Sequence, residues 1–152
     1  MAAGNWITYG AAGEAIHKAV DVDADSFRIV LVTDSYTPNQ NSHGAWSDIS
    51  AHEVAAGNGY ATHGLAMDLV VSRTDNVITV DGPDVTWANS TITAKYAVIV
   101  RDANDDGTLA AGDLPIAYVD LDTGGGSPSS SNAAFTIQMN SNGIYQNTLA
   151  TS

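Results

Sequence analysis

The spacing of apolar residues along the chain changes period once. Over Thr8 to Val20, Ala12, Ile16, Ala19 and Val20 fall at i, i+4, i+7 and i+8, one face of a 3.6-residue period, which predicts a helix. Gly10 and Gly13 weaken it by about 1 kcal/mol each relative to Ala, and the acidic stretch Asp21 to Asp25 should end it. Beyond that point the signal is strand. Phe27 to Thr33 is a short run of Ile, Val and Leu suited to burial on both faces. Asp34 to Asp48, with Pro38 and Gly44, reads as a long loop, and Gly57-Asn58-Gly59-Tyr60 carries turn chemistry. Leu65 to Ser72 and Val77 to Val80 flank a turn at Thr74-Asp75-Asn76, and Val85 to Trp87 is a short strand after the turn at Asp81-Gly82-Pro83.

Ile92 to Arg101 alternates, with Ile92, Ala94, Tyr96, Val98 and Val100 on one face and Thr93, Lys95 and Arg101 on the other. Leu114 to Leu121 is its expected hairpin partner. Thr123 to Asn132 is rich in Gly and Ser and reads as an exposed loop. Phe135, Ile137 and Met139 alternate with Thr136 and Gln138, and Ile144 to Leu149 closes the series. Short strands divided by turns predict a mainly β chain, a single β-sandwich or jelly-roll-like domain with a short N-terminal helix. Residues 1–20 would form an arm and helix packed on or extending from a β-sandwich domain over 21–152.

Composition narrows the function classes. The chain of 152 residues carries 17 acidic and 5 basic side chains, a formal net charge of −12. Asp supplies nearly all of the acid, and Asp gathers at turns rather than inside helices or strands. The five cations Lys18, Arg28, Arg73, Lys95 and Arg101 stand singly, whereas phosphate-backbone binding needs clustered Lys and Arg. Direct nucleic-acid contact is therefore not expected. With no Cys, disulfides and thiolate metal sites are excluded. No apolar run approaches the roughly 18 residues that span a bilayer, and no basic segment followed by an apolar one marks a signal peptide at the N-terminus.

The sharpest local pattern runs from Asp102 to Asp113 and matches the twelve-position calcium loop. Asp102, Asn104 and Asp106 stand at positions one, three and five, where alternate side chains converge on one hard cation. Gly107 is at the sharp turn, Thr108 offers its carbonyl at position seven, and Leu109 is the apolar residue at position eight. Asp113 takes position twelve, where the longer Glu is usual, so its reach is shorter. Strand-like flanks replace the helices of an EF-hand, so an ion here would rigidify a hairpin rather than trigger an opening. Without an ion, the same residues suit a hairpin loop for their turn chemistry alone.

Other candidates are plainer. His17, His43, His52 and His63 lack zinc-ligand spacing and read as surface or hydrogen-bonded histidines. His52 and Glu53 are adjacent, so in a strand they would point to opposite faces. The pairs Asp21/Asp23 and Asp120/Asp122 could share a strand face, as a glycosidase's carboxylates must, but also read as solvated carboxylates near strand ends. No nucleophile, base and orienting group stand out together, and no enzyme is expected. Trp87 belongs to a strand pattern and the core. Trp6, in the arm, and Trp46, in the long loop, are the expected partner contacts, since Trp is enriched at interfaces.

An ordered set of segments carries a wider likeness. It runs through Asp25-Ser26-Phe27-Arg28-Ile29-Val30-Leu31-Val32-Thr33, Ser35-Tyr36-Thr37-Pro38-Asn39, Trp46-Ser47-Asp48-Ile49-Ser50-Ala51-His52-Glu53-Val54 and Gly57-Asn58-Gly59-Tyr60. It continues through Asp84-Val85-Thr86-Trp87, Ser90 to Ile99, Ala117-Tyr118-Val119-Asp120-Leu121, Phe135-Thr136-Ile137 and Asn142-Gly143-Ile144. This order resembles a family of small structural proteins of tailed-phage virions, head decoration (cement) or minor structural components. The resemblance implies assembly rather than catalysis. It implies a protein made in the host cytoplasm and placed on the capsid exterior, bound to the major capsid protein and to copies of itself. A trimer at a three-fold site is the expected oligomer. It supplies neither catalytic residues nor the calcium loop. Two alternatives are a minor tail or baseplate component, and a calcium-stabilised carbohydrate-binding β-sandwich module whose Trp side chains stack on sugar.

Overall fold

The computed structural model describes residues 3–151. The chain is mainly β. Ten strands pair in antiparallel sheets, and one short α-helix lies near the N-terminus. In chain order they are β1 (Ile7–Thr8), α1 (Gly10–Ile16), β2 (Phe27–Val32), β3 (Leu65–Met67), β4 (Val70–Thr74), β5 (Val77–Asp81), β6 (Val85–Ser90), β7 (Tyr96–Arg101), β8 (Pro115–Asp120), β9 (Ala133–Ile137) and β10 (Tyr145–Thr148). The largest sheet has the order β1-β8-β7-β2-β3, a second is β10-β5-β4, and a third is the pair β6-β9.

The centre of the large sheet explains the apolar run at Phe27. Ile29, Val30, Leu31 and Val32 on β2, and Ala97, Val98, Ile99 and Val100 on β7, are all fully buried. Both faces of these strands are therefore covered, so the residues need no polar alternation. Cross-strand pairing sets Val30 opposite Val98 and Val32 opposite Tyr96, and Val98 opposite Tyr118. That face is covered by the arm and the long loop, through the ring contacts Tyr9–Tyr118 and Tyr36–Tyr96. The β6-β9 pair lies over the opposite face, where Val119 and Leu121 share a cavity of about 330 Å³ with Phe135, Ile137 and Trp6. In this pair the alternation is clean. Val85, Trp87, Phe135 and Ile137 point inward, while the Thr86 and Thr136 hydroxyls meet on the outer face at 2.9 Å. The packing is sandwich-like.

Three expectations about the helix and β7 shift. The helix is shorter than Thr8 to Val20 because Thr8 is taken into the pairing with β8, and after Ile16 the Lys18, Ala19 and Val20 N–H groups all turn back onto the Ala15 carbonyl. The strand expected from Ile92 begins only at Tyr96, since Ala94 and Lys95 bond to Pro128 and Val32 from outside a regular ladder. Its one-sided burial also fails, because β7 is central rather than half-exposed. Of the two placements expected for the arm, packed on the domain or extending from it, the described part takes the first. Ile7 and Thr8 pair with Tyr118 and Ala117, which stitches it to the edge of the large sheet.

Candidate functional site

The loop from Asp102 to Asp113 joins β7 to β8, which pair as a hairpin. Its backbone is built the way its residues dictate. Asp105 and Gly107 take positive φ, 53° and 79°, which suits the short polar side chain and the missing Cβ at these turns. Asp102 and Asp113, at the two ends, are buried at 4% and 5% exposure, whereas Asn104, Asp106 and Thr108 lie at the surface. Leu109 is buried and anchors the middle of the loop to the core.

Each carboxylate has a defined role. Asp102 Oδ2 accepts the Gly107 N–H at 2.9 Å, which closes the first half of the loop on itself. Its other oxygen, Oδ1, is buried with no hydrogen-bond partner. Asp106 Oδ1 accepts from both the N–H and the hydroxyl of Thr108 at 2.9 and 2.7 Å. These donors hold the Asp106 carboxyl below the usual carboxylate range. Asp113 Oδ2 accepts the Ala110 N–H at 2.8 Å, and Asp105 Oδ1 accepts the Ser26 hydroxyl at 2.6 Å.

The loop is also braced from outside, which sequence spacing could not show. The Trp46 N–H donates to the Asp113 carbonyl at 2.7 Å and Ser47 N–H to the Ala111 carbonyl at 2.9 Å. His63 Nδ1 accepts the Leu109 N–H at 3.1 Å. The Arg28 Nε and Nη2 donate to the His63 and Gly64 carbonyls at 2.8 and 2.9 Å, which fixes the guanidinium along the flank of the loop. The five expected ligands Asp102, Asn104, Asp106, Thr108 and Asp113 thus share one braced loop. Among the described residues, no three His, Asp or Glu side chains converge at metal-binding spacing.

Trp6 and Trp46 require a correction. They are 8% and 3% exposed, as deeply placed as Trp87 at 3%. Trp46 opens a short 3-10 turn, Trp46–Asp48, whose backbone bonds to the hairpin loop and drives the indole inward against His63. Trp6 precedes a strand that pairs with β8, and its ring goes into the core. Neither offers the free aromatic face that a partner contact needs.

His43, His52, Glu53, Asp120 and Asp21 are bound into local networks. His43 Nδ1 lies 2.9 Å from the Tyr36 hydroxyl and His52 Nδ1 2.8 Å from the Ser35 hydroxyl. Glu53 Oε1 accepts the Tyr60 hydroxyl and the His63 N–H, so it turns away from His52. Asp120 Oδ1 takes the Lys95 ammonium at 2.7 Å, and the Asp122 carbonyl takes it at 2.7 Å. Asp21 Oδ1 accepts the N–H groups of Asp23 and Ala24 and so closes a turn.

The exposed apolar surface lies elsewhere. β4 is an end strand of its sheet, all five of its residues are exposed, and Val70 and Val71 show 55% and 40% of their surface. No described helix is long and apolar enough to cross a membrane. The chain matches no protein-family profile, no curated protein and no solved structure.

Proposed function

We propose that this chain is a structural protein of a phage virion, a decoration or cement protein on the capsid exterior. The observation that supports this reading most directly is the β4 edge. Natural sheet edges are usually blunted by charge, Pro or cover, yet Val70-Val71-Ser72-Arg73-Thr74 carries one charge and lies open. Such an edge suits pairing with a neighbouring subunit, by main-chain hydrogen bonds and by burial of the two valines. A protein bound across neighbouring shell subunits stabilises only the assembled state, which is how a cement protein strengthens a head. The net charge of −12 favours an outward surface over one that faces packaged DNA. Contact thus moves from Trp6 and Trp46 to β4, with the major capsid protein and further copies of this chain as partners.

Mass spectrometry and imaging of purified virions test the reading. The protein should be present on the head surface, and Val71→Lys should lower its occupancy there. Absence from mature particles would overturn the proposal, and density on the tail or baseplate would replace it with the minor tail reading. A carbohydrate-binding role loses its main support, because all three Trp side chains are buried.

A further inference from the structure

The buried carboxylate of Asp102 is the least satisfied charge in the hairpin loop. One oxygen is clamped by the Gly107 N–H, and that clamp turns the carboxylate toward the inside of the loop. The other oxygen is shielded from water and has no donor. A buried anion normally holds a counter-charge or several hydrogen bonds, because stripping its hydration costs several kcal/mol. Arg28 lies along the loop beside Gly107 with its Nε and Nη2 committed to carbonyl groups, and the Arg101 Nε is paired with Asp25. The ion pairs among the described residues are Lys18–Glu14, Lys95–Asp120 and Arg101–Asp25, and none reaches Asp102.

A hard divalent cation answers this need with chemistry the loop already contains. We propose that Asp102 to Asp113 is a calcium site. The ion would take Asp102 Oδ1, the side-chain oxygens of Asn104 and Asp106, the Thr108 carbonyl and the Asp113 carboxylate. Calcium accepts six to eight oxygens in flexible geometry, so the shorter reach of Asp113 is met by water. Asn104 and Asp106 lie at the surface, so on binding they would turn inward, with Asp106 exchanging its two Thr108 hydrogen bonds for the ion. The preformed part is the buried end, where Asp102 and Asp113 are fixed by Gly107, Ala110 and Trp46. Binding locks the β7–β8 hairpin to the Trp46–Asp48 turn and the His63 loop. It acts as a structural clamp rather than a sensor. This inference stands independently of the virion reading.

Thermal melts of the full chain, stripped with EGTA and then supplied with calcium chloride, provide the test. The Tm should rise by several degrees with millimolar calcium, and terbium should show luminescence sensitised by the neighbouring Trp46. Asp106→Ala, at an exposed position, should abolish the rise without unfolding the protein, and Asp102→Asn should do the same. Asp105→Ala, at a non-ligand position, should keep it. An identical Tm in EGTA and calcium with no terbium signal would overturn the site. So would a rise that survives both ligand variants, or one that sodium chloride reproduces, since each marks screening of the acidic surface.

Discussion

Tyr9 and Tyr36 meet hydroxyl to hydroxyl at 2.7 Å inside the protein, joining the arm to the long loop that covers the large sheet. The Tyr36 hydroxyl also lies 2.9 Å from His43 Nδ1, so it sits in the middle of a three-member chain. Burial pushes the Tyr36 phenol up to about 12 and raises that of Tyr9 further still, so both stay neutral at any ordinary pH. The chain has a direction of dependence. Tyr9→Phe leaves Tyr36 bonded to His43 and should cost about 1 kcal/mol. Tyr36→Phe strands the buried Tyr9 hydroxyl and should cost roughly 1–3 kcal/mol. Urea unfolding of the two variants checks the order, and a double-mutant cycle gives the coupling. Equal costs would mean that water reaches Tyr9.

Two glycines should respond to Ala in opposite ways. Gly64 adopts φ +61°, and a Cβ there would stand 1.9 Å from the Ile29 carbonyl oxygen. That oxygen belongs to β2, whose backbone is held between β7 and β3 and cannot retreat. Gly64→Ala should therefore cost more than about 3 kcal/mol. Gly13 lies within α1, and a Cβ there meets nothing within 4 Å. Gly13→Ala should stabilise by up to about 1 kcal/mol through helix propensity. Thermal melts distinguish the two directly.

What the sequence revealed follows from how local its causes are. Turn residues and alternating apolar positions located β2, the turn between β4 and β5, the β7–β8 hairpin and β6 and β9 as separate strands, because side-chain period and turn chemistry act over a few residues. That β6 pairs with β9, and that Leu65 to Ser72 divides into β3 and β4 of different sheets, depends on distant partners. The lateral position of β7 was not legible. Its Ala97 and Ile99 are as apolar as Val98 and Val100, and only the strand order shows that β2 and β8 flank it. Trp46 illustrates the same limit. A Trp in a polar loop reads as exposed, but backbone bonds to Ala111 and Asp113, more than sixty residues on, fold it into the core. The acidic pattern of the loop from Asp102 to Asp113 is visible as a spacing. Its braces, Ser26, Trp46 and His63, are distant in sequence and are not.

The burial of Trp46 makes a quantitative distinction between core and contact residues. Trp46→Ala should destabilise the isolated protein by roughly 3–5 kcal/mol, the cost of a large buried aromatic. Val71→Ser, on the open β4 edge, should change stability by less than about 0.5 kcal/mol and, under the proposed virion role, should weaken association with shell subunits. Unfolding curves of the purified variants, set beside their occupancy on particles, test both halves. A Trp46→Ala variant of unchanged stability would return that side chain to the surface.

Asp48 supplies a pH dependence whose sign is fixed by its hydrogen bonds. Its Oδ2 accepts the N–H groups of Gly44 and Ala45, each at 3.0 Å. These backbone bonds hold its carboxyl below the ordinary 3.8, and the charge of His43 adds to the effect. Because the folded pKa is depressed, the unfolded chain binds the proton first as pH falls. The stabilisation is therefore fully present above the unfolded value and disappears as pH drops through the lower, folded one. Asp48→Asn keeps an acceptor oxygen but removes the charge, so its Tm should lack this component. The wild-type advantage over Asp48→Asn should be present at neutral pH and at about pH 5, shrink below about pH 4, and vanish in stronger acid. Comparing the two proteins cancels the titration of the other carboxylates. An advantage that persists unchanged at the acid end would show that the bonds act without the charge.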